Sequence, residues 1–298
     1  MRKLAPRNQT ARMKNKRRDL AIGANVFDLN ERTLVMGILN VTPDSFYDGG
    51  RFYSKEKAVG HALKLIKEGA DIIDIGGHST RPGALRISLQ EEMDRVIPVI
   101  EELVRREPVA ISVDTFNADV AERALNAGSV MVNDVTGLMR DDKMAGVIAD
   151  KNASVIIMHM KGTPRNMQLN PEYEDVISEV MLYLKQAVVR ALDAGIERER
   201  IIIDPGIGFG KKVSHNYEII DKLYMFRSLE LPVMIGVSRK SFMGEVLNLK
   251  PEDRLIATAA STAISIVRGA DIIRVHDVGQ MKQVAMVSDA VLKKGNII

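Results

Sequence analysis

Polar and charged residues follow a series of short apolar runs in this chain, and many of these residues are of types that bind ligands. They are Asn40, Thr80, Arg81, Asp114, Asn133, Asp134, His159, Asp204, Ser238, Arg239, Lys240, Ser241, Arg274, His276 and Asp277. Among them, Asp114, Asn133 and Asp204 supply two carboxylates and an amide, which suit a flat heterocycle with N–H donors and ring acceptors. These three side chains therefore predict a heterocycle-binding site.

Cationic and hydroxyl side chains of the same set suit an anionic group. Guanidinium planes pair with phosphate oxygens and hydroxyls add donors, so Arg274, His276, Thr80 and Arg81 predict a phosphate site. The segment Ser238–Ser241 leads into a predicted helix, whose unpaired N–H groups favour a carboxylate or a phosphate. Each residue alone also has a structural explanation as a helix cap or a hydrogen-bonding core residue. Converging on one rim, however, they would be costly without a ligand or water to pair with them.

Eight apolar runs suited to buried strands alternate with amphipathic segments of helical period. The runs are Leu34–Leu39, Asp71–Ile75, Val109–Val113, Val130–Asn133, Ser154–Met158, Ile201–Ile203, Val233–Val237 and Asp271–Val275. Strands that alternate with helices pair in parallel, so eight such units predict an α/β protein with a (β/α)8 TIM-barrel fold. The carboxyl ends of the strands would then bring the polar residues to one mouth. The alternative is an open doubly wound sheet, although Leu39–Pro43 lacks the glycine pattern expected after its first strand.

Local signals support the predicted elements. Ser88 and Glu91 have capping-box spacing, and Pro251 suits a first helical turn. Asp19–Arg32, which contains Gly23, predicts a small hairpin that acts as a lid or a plug. The glycines predicted to end helices are Gly69, Gly128, Gly195 and Gly269.

Composition indicates a globular protein, because 46% of the 298 residues are hydrophobic and 27% are charged. The absence of cysteine excludes disulfides and thiolate zinc sites. No apolar stretch approaches the roughly 20 residues of a bilayer helix. We therefore expect a cytoplasmic protein with no membrane partner.

The first 18 residues carry eight Arg or Lys and no acid, whereas the net charge of the whole chain is +3. The rest of the chain therefore has a net charge of about −5. The segment suits a solvated basic extension, and contact with nucleic acid or an anionic surface, or an import signal, is the alternative. Because it lacks aromatic stacking residues, we expect no nucleic-acid partner. The predicted organisation is a basic extension at residues 1–18 and a single barrel domain at residues 19–298.

The chain resembles the dihydropteroate synthase family, whose members join a pterin pyrophosphate to 4-aminobenzoate in folate biosynthesis and are the targets of sulfonamides. The resemblance spans nearly everything after residue 30 and implies a transferase with a pterin-binding barrel. The motifs that carry it occur in family order and are Met36–Phe46, Asp48–Gly50, Asp74–Gly77, Ser79–Gly83, Asp204–Phe209, Ser238–Phe242 and Arg274–Val278.

The resemblance also implies roles for individual residues. The pterin pocket would use Asp114, Asn133, Asp204 and Lys240. The remaining implied contacts are Thr80, Arg274 and His276 for the pyrophosphate, Asn40 for a Mg²⁺ ion, Phe46, Pro82 and Phe209 for 4-aminobenzoate, and Ser241 for its carboxylate.

In the implied mechanism, the cations stabilise the departing pyrophosphate, and the aniline nitrogen captures a pterin methylene cation. Lys240, Arg274 and His276 are the predicted catalytic residues. No strong general base is needed, because an aniline is neutral near pH 7 and its nitrogen has an available lone pair. The family also favours a homodimer.

Two positions depart from the family pattern. His78 stands where an acid is usual, and Tyr47 stands where serine is common. We interpret His78 as a peripheral substitution; the alternative is altered loop chemistry or a changed substrate. The two alternative functions are a folate/corrinoid methyltransferase of the same fold and a catalytically silent pterin-binding paralogue.

Overall fold

The computed structural model describes residues 18–42, 51–78, 87–163 and 166–292, with the side chains of residues 51–54 left aside. Within these residues, eight parallel strands form one sheet. They follow the two hairpin strands β1 (Asp19–Ile22) and β2 (Asn25–Asp28) and are β3 (Leu34–Asn40), β4 (Ile72–Gly76), β5 (Ala110–Asp114), β6 (Met131–Asp134), β7 (Ser154–Met158), β8 (Ile201–Asp204), β9 (Met234–Ile235) and β10 (Ile272–Val275). Their order in the sheet is β8-β7-β6-β5-β4-β3-β10-β9. The predicted barrel fold is confirmed.

The sheet closes into a barrel between β8 and β9, where the pairing is sparse. A single parallel bridge joins Ile203 to Val233, and the N–H of Ile203 donates to the carbonyl of Pro232 at 3.0 Å. The sequence predicts a strand over Val233–Val237, but only Met234 and Ile235 form one. The chain leaves the ladder after Ile235 and turns, with the N–H of Lys240 donating to the carbonyl of Val237.

Helices surround the barrel and connect successive strands. They are α1 (Arg51–Lys67), α2 (Leu89–Arg106), α3 (Ala118–Asn126), α4 (Met144–Asp150), α5 (Val176–Asp193), α6 (Val213–Asp221), α7 (Ser241–Leu247), α8 (Leu255–Val267) and α9 (Val278–Leu292). Short 3₁₀ turns cover Arg198–Arg200, Leu223–Leu229 and Pro251–Asp253. None of the described helices is long and apolar enough to cross a membrane.

The predicted helix boundaries are confirmed. The Ser88 hydroxyl accepts from the N–H of Glu91 at 3.1 Å, so Ser88 is the N-cap of α2. Each predicted terminating glycine has a positive φ, between 94° at Gly195 and 111° at Gly269. A side chain at these positions would be strained, which explains why glycine ends the helices there.

The barrel interior is filled with one apolar residue near the start of each strand. Residues of this layer include Met36, Ile72, Ala110, Met131, Ile156, Ile202, Met234 and Ile272, all buried. Because successive strand residues point to opposite faces, the next residue of each strand packs outward against the helices. The interior layer lies at the amino ends of the strands, which leaves the carboxyl ends for polar groups.

The predicted hairpin consists of β1 (Asp19–Ile22) and β2 (Asn25–Asp28), paired antiparallel. Leu20 and Ile22 are fully buried against the interior layer at the amino ends of the barrel strands. The hydroxyl of Ser154, the first residue of β7, donates to the carbonyl of Ala21 at 2.7 Å. The hairpin is therefore a plug at the end of the barrel opposite the predicted site.

Arg18, the residue before the plug, forms a two-pronged ion pair with Asp271, with N–O distances of 2.7 and 2.8 Å. This contact joins the last residue of the predicted basic extension to the residue that precedes β10. Residues 1–17 lie outside the described residues. The predicted division into an extension and one barrel domain stays a prediction.

Candidate active site at the carboxyl ends of the barrel strands

Polar residues line the bore of the barrel just above the apolar interior layer. The period of two in a strand places a residue on the interior face two positions after each interior apolar residue. By this rule Ile72 is followed by Asp74, Met131 by Asn133, Ile202 by Asp204, and Ile272 by Arg274. The strands therefore bring residues as much as 200 positions apart in the chain to one region.

Arg274 is the centre of a hydrogen-bonded network. Its Nε donates to Asp74 Oδ2 at 2.6 Å and its Nη2 donates to Asp114 Oδ2 at 2.7 Å. The Nδ2 of Asn133 donates to the same Asp74 oxygen at 3.0 Å. Arg274, Asp114 and Asn133, three residues predicted from the sequence, thus meet through Asp74.

Neighbouring strands set the spacing of this network. Asp114 lies opposite Asn133 on one side and Gly76 on the other in the parallel register. A Cβ built at Gly76 would lie 3.4 Å from the Asp114 Cβ, which is ordinary van der Waals contact, so the two strands lie close together here.

Burial dominates the electrostatics of the network. It raises the pKa of Asp114 to about 7, with the charge of Arg274 opposing the shift and that of Asp74 adding to it. Burial also works against the charge on Arg274, but the carboxylates of Asp74 and Asp114 outweigh it and raise its pKa. The site therefore holds a fixed cation beside a carboxyl group that changes charge near neutral pH.

Lys240 and Asp204 form the second part of the site. Lys240 Nζ donates to the carbonyl of Ile207 and lies 4.7 Å from the centre of the Phe209 ring, a cation–π contact. Burial lowers the pKa of Lys240 to about 8, although the charge of Asp204 opposes this shift. Burial likewise raises the pKa of Asp204, whose Oδ1 accepts from the N–H of Gly206 at 2.7 Å.

Glycines let the loop after β8 approach the barrel closely. Gly206 has φ 72°, and a Cβ there would collide with the carbonyl of His159. Gly208 has φ 80°, and a Cβ there would lie 3.1 Å from Lys240 Cδ. Only glycine suits both the conformation and the space, so this loop carries Phe209 directly beneath the Lys240 ammonium.

A buried pair that the sequence did not predict supports the same loop. Lys211 Nζ donates to the carbonyl of Phe209 at 3.1 Å and lies 2.9 Å from His159 Nδ1. Burial lowers the pKa of Lys211 well below its usual value, and burial together with the charge of Lys211 lowers that of His159 to about 2. Both groups are held in an environment that disfavours charge, so they act as hydrogen-bonding partners in the core.

The segment after β9 and the end of β10 contact each other. Ser238 Oγ lies 3.0 Å from His276 Nδ1, which places the predicted anion-binding histidine beside a hydroxyl. Arg239 pairs with Asp277 at 2.6 Å. These two charges satisfy one another, which gives them a structural role in joining the two segments. Ser241 is exposed and begins α7, as its predicted position at a helix start requires.

The remaining predicted residues have varied placements. Asn40 ends β3, half-buried and paired in register with Gly76. Asp134 accepts from the N–H groups of Thr136 and Leu138, which makes it a turn-forming residue. The predicted contacts that lie outside the described residues are Phe46, Thr80, Arg81 and Pro82, together with Tyr47.

His78, which departs from the family pattern, lies just after β4. Its ring meets the Phe116 ring edge-on, with 5.4 Å between centroids. The Arg140 guanidinium lies 4.0 Å from the centre of the same Phe116 ring. His78 therefore belongs to a small aromatic and cationic cluster beside α2 and the loop after β5.

The sequence does not single out two buried residues of the candidate site. Asp74 was noted only as part of a motif, although an acid two residues after Ile72 in a buried strand was the available signal. Lys211 follows the glycine-rich loop and carried no signal beyond its position, because nothing in the pattern distinguishes it from its exposed neighbour Lys212.

The chain is similar to known proteins over most of its length. Residues 36–276 match the family model of pterin-binding enzymes. The chain is 48% identical over 267 residues to the dihydropteroate synthase of Bacillus subtilis, covering 90% of this chain and 91% of the relative.

Two solved structures superpose closely. A Yersinia pestis dihydropteroate synthase with a sulfonamide drug complex is 41% identical with a TM-score of 0.87, covering 92% of this chain and 99% of that one. A Xanthomonas albilineans dihydropteroate synthase with 4-aminobenzoic acid is 42% identical with a TM-score of 0.87, covering 93% and 99%.

These similarities extend through the strands and loops that carry the site, because the family match begins in β3 and ends at His276. This chain therefore belongs to the dihydropteroate synthase family of pterin-binding enzymes.

Proposed function

We propose that this transferase condenses 6-hydroxymethyl-7,8-dihydropterin pyrophosphate with 4-aminobenzoate to give 7,8-dihydropteroate and pyrophosphate. A C–N bond forms between the pterin methylene carbon and the aniline nitrogen, the C–O bond to pyrophosphate breaks, and the nitrogen loses one proton. The observation that carries the proposal is the convergence of the Arg274 network with Lys240 and Asp204 at the carboxyl ends of the strands.

The pterin ring is assigned to Asp114, Asn133, Asp204 and Lys240. A reduced pterin carries several N–H donors and ring acceptors, so it suits two carboxylates, an amide oxygen and a lysine. The Oδ1 of Asn133 supports this assignment because it is buried and has no hydrogen-bond partner among the described residues. Such an acceptor costs about 1–3 kcal/mol until a donor reaches it, so a ligand N–H is favoured there.

The pyrophosphate is assigned to Arg274 and His276, with Thr80 from the neighbouring loop. Arg274 is already charged and held in place, so it can stabilise developing negative charge without reorganising. Its carboxylate partners Asp74 and Asp114 fix the guanidinium at the mouth. These residues act by charge stabilisation, and no general base is assigned.

4-Aminobenzoate is assigned to the region beside Phe209, with its carboxylate near Ser241 and with Phe46 and Pro82 as further contacts. The Xanthomonas albilineans relative with 4-aminobenzoic acid supports this substrate. The Yersinia pestis relative with a sulfonamide supports sulfonamides as competitors of it.

A Mg²⁺ ion bound through Asn40 is part of the proposal, and the residues present fit it. Mg²⁺ keeps several waters and takes one or two protein oxygens together with substrate phosphates. The described residues contain no cluster of three or more His, Cys, Asp or Glu that could hold a metal alone, whereas Asn40 offers one amide oxygen at a strand end. When bound, the ion would neutralise negative charge on the pyrophosphate.

The proposal is tested by incubating the protein with pterin pyrophosphate, 4-aminobenzoate and Mg²⁺. We expect equimolar release of pyrophosphate and dihydropteroate, and loss of turnover when Mg²⁺ is replaced by a chelator. Pterin binding without turnover would instead indicate a silent paralogue. Methyl transfer from a folate to a corrinoid, with no pyrophosphate chemistry, would identify the methyltransferase alternative.

We also propose that the enzyme is a cytoplasmic homodimer. Support for a dimer comes from exposed apolar side chains on α8 and α9, including Ile256 at 84% exposure and Val291 at 70%. Exposed apolar side chains on two neighbouring helices suit an interaction site. Support for the compartment comes from a composition without cysteine, which suits a reducing environment.

A further inference from the structure

Asp74 occupies a special place beneath the predicted pterin pocket. It is fully buried in β4, and one of its oxygens, Oδ2, accepts from both Arg274 Nε and Asn133 Nδ2. Two donors on one oxygen require that oxygen to be an acceptor. Asp74 thus contacts two predicted substrate-binding residues while lying one step deeper in the bore.

The contact decides which way the Asn133 amide points. An asparagine amide can present either an N–H donor or a carbonyl acceptor at the same position, depending on a 180° rotation. Because the Asp74 oxygen that faces Asn133 also accepts from Arg274, Asn133 turns its Nδ2 towards that oxygen. Its Oδ1 is then left on the other side, buried and without a hydrogen-bond partner among the described residues.

We propose that Asp74 is a specificity-determining positioning residue, which fixes the Asn133 amide so that the pocket selects heterocycles that present an N–H donor to Asn133 Oδ1. The inference rests on the proposed function, because it concerns how the same pocket chooses its pterin. Asp74 acts through Asn133 and need not touch the substrate.

The rotated amide would be disfavoured by two effects. It would place Asn133 Oδ1 against the Asp74 oxygen that accepts from Arg274, where two acceptors repel each other, and it would remove the hydrogen bond from Asn133 Nδ2. A ligand with an acceptor in place of the donor would face Asn133 Oδ1 with its own lone pair. Rejection of such a ligand is strong when a buried polar group is left unpaired.

Two ring systems provide the probe. A pterin carries an amino group at C2, whereas a lumazine carries a carbonyl there, so the donor and acceptor pattern along that ring edge is inverted while the shape is kept. Dissociation constants of 6-hydroxymethylpterin and 6-hydroxymethyllumazine are measured by titration calorimetry, which requires no turnover. We expect the unmodified protein to prefer the pterin by about tenfold or more.

Asp74→Asn keeps the shape of the side chain but can donate as well as accept, so it releases the Asn133 amide to rotate. We expect the pterin preference to fall by about tenfold in this variant. Asp74→Ser is the second variant, which removes the carboxylate if Asp74→Asn does not fold. Ser112→Ala is the matched control, since Ser112 lies opposite Asp74 in the register and its buried Oγ has no hydrogen-bond partner among the described residues. It is expected to leave the preference unchanged.

A double-mutant cycle separates positioning from a general structural role. In an Asn133→Ala background, Asp74→Asn should no longer alter the preference between the two rings. An equal effect of Asp74→Asn with and without Asn133 would overturn the inference, as would an unmodified protein that binds both rings equally well. Failure of the unmodified protein to bind either ring would instead overturn the proposed function.

Discussion

The guanidinium of Arg274 and the carboxylate of Asp114 are joined at 2.7 Å across the barrel bore, although 160 positions separate them in the chain. Arg274 is the main influence that opposes the effect of burial on Asp114, whose pKa is raised to about 7. The charge of this carboxyl group therefore depends on both pH and its cationic neighbour.

Pterin affinity is expected to rise with pH through about 7 and to shift when Arg274 is removed. Asp114 accepts ligand N–H groups best when it is ionised, which it becomes as the pH rises through its pKa. Arg274→Ala removes the cation that lowers the pKa of Asp114. The midpoint of the rise in pterin affinity with pH should therefore move above 7. Titration of a phosphate-free pterin between about pH 5 and about pH 9 measures the midpoint. Asp114→Asn should flatten the profile, and an unshifted midpoint in Arg274→Ala would rule out this coupling.

The same Arg274→Ala variant should bind the pyrophosphate substrate much more weakly than it binds a phosphate-free pterin, when both are compared at a pH where Asp114 is ionised. The loss of a charged hydrogen-bonding partner typically weakens binding by about tenfold to a hundredfold. Equal losses for the two ligands would remove Arg274 from the phosphate site.

Activity should decline at alkaline pH because Lys240 loses its charge there. Its pKa is lowered to about 8, chiefly by burial, so the protonated form predominates below that pH and is lost above it. In Lys240→Arg the guanidinium stays charged throughout this range, so the decline should disappear even if the overall rate is lower. The measurement is kcat/KM for the pterin substrate against pH. A decline that persists unchanged in Lys240→Arg would assign it to another group.

Lys211→Met should raise the KM for 4-aminobenzoate by about tenfold with a smaller effect on kcat, because Phe209 is assigned to the binding of that substrate and a loss of uniform binding raises KM. Lys211 holds the carbonyl of Phe209 at 3.1 Å, and its loss frees the loop that carries the ring. Lys212→Met is the matched control, since Lys212 is adjacent and exposed. Steady-state kinetics with each substrate varied in turn separates the effect on each KM from the effect on kcat. Parallel changes in both KM values would point to a general loss of structure.

Leu20→Ala should lower the free energy of unfolding by about 2–5 kcal/mol, the usual cost of emptying a buried leucine site. Leu20 is fully buried in the plug, at the end of the barrel away from the predicted catalytic residues, so both KM values should stay unchanged. Val26→Ala, on the exposed side of the same hairpin, serves as the control and should cost little. Denaturant unfolding and kinetics on the same preparations provide the two measurements.

Ile256→Glu should convert the proposed dimer to a monomer, because a charge placed in an apolar interface is left buried and unpaired. Leu182→Glu introduces the same charge at an exposed leucine of α5 and should leave the mass unchanged. Light scattering on the eluting protein measures the mass of each. A dimer that survives Ile256→Glu places the interface elsewhere.

Much of the fold could be predicted from the sequence because its signals are local. Alternating apolar runs and helical periods located the strands, and Ser88 and the terminating glycines located helix ends. The strand β9 is shorter than the sequence predicts. Gly236 and Val237 are as buried as strand residues, but their backbone no longer pairs with a neighbouring strand. Periodicity reports burial and does not report hydrogen bonding.

The site was predictable in its residue types and not in its connections. Asp114, Asn133 and Arg274 were identified as polar residues at strand ends, but their common partner Asp74 emerges only when the strands are placed side by side. The Lys211 and His159 pair is likewise created by a close backbone approach at Gly206. Contacts between distant segments depend on register and loop path, which no short stretch of sequence encodes.

The sparse pairing between β8 and β9 is the weakest strand contact in the described barrel, and two of the predicted pterin-binding residues lie on either side of it. Asp204 ends β8, whereas Lys240 follows β9. A ligand that contacts both residues would connect β8 to the segment after β9. Its binding should therefore stabilise the closed barrel. Amide protons of Met234 and Ile235 should consequently exchange more slowly with solvent in the liganded protein. Their exchange rates would thus measure how ligand binding at the carboxyl ends of the strands stabilises β9.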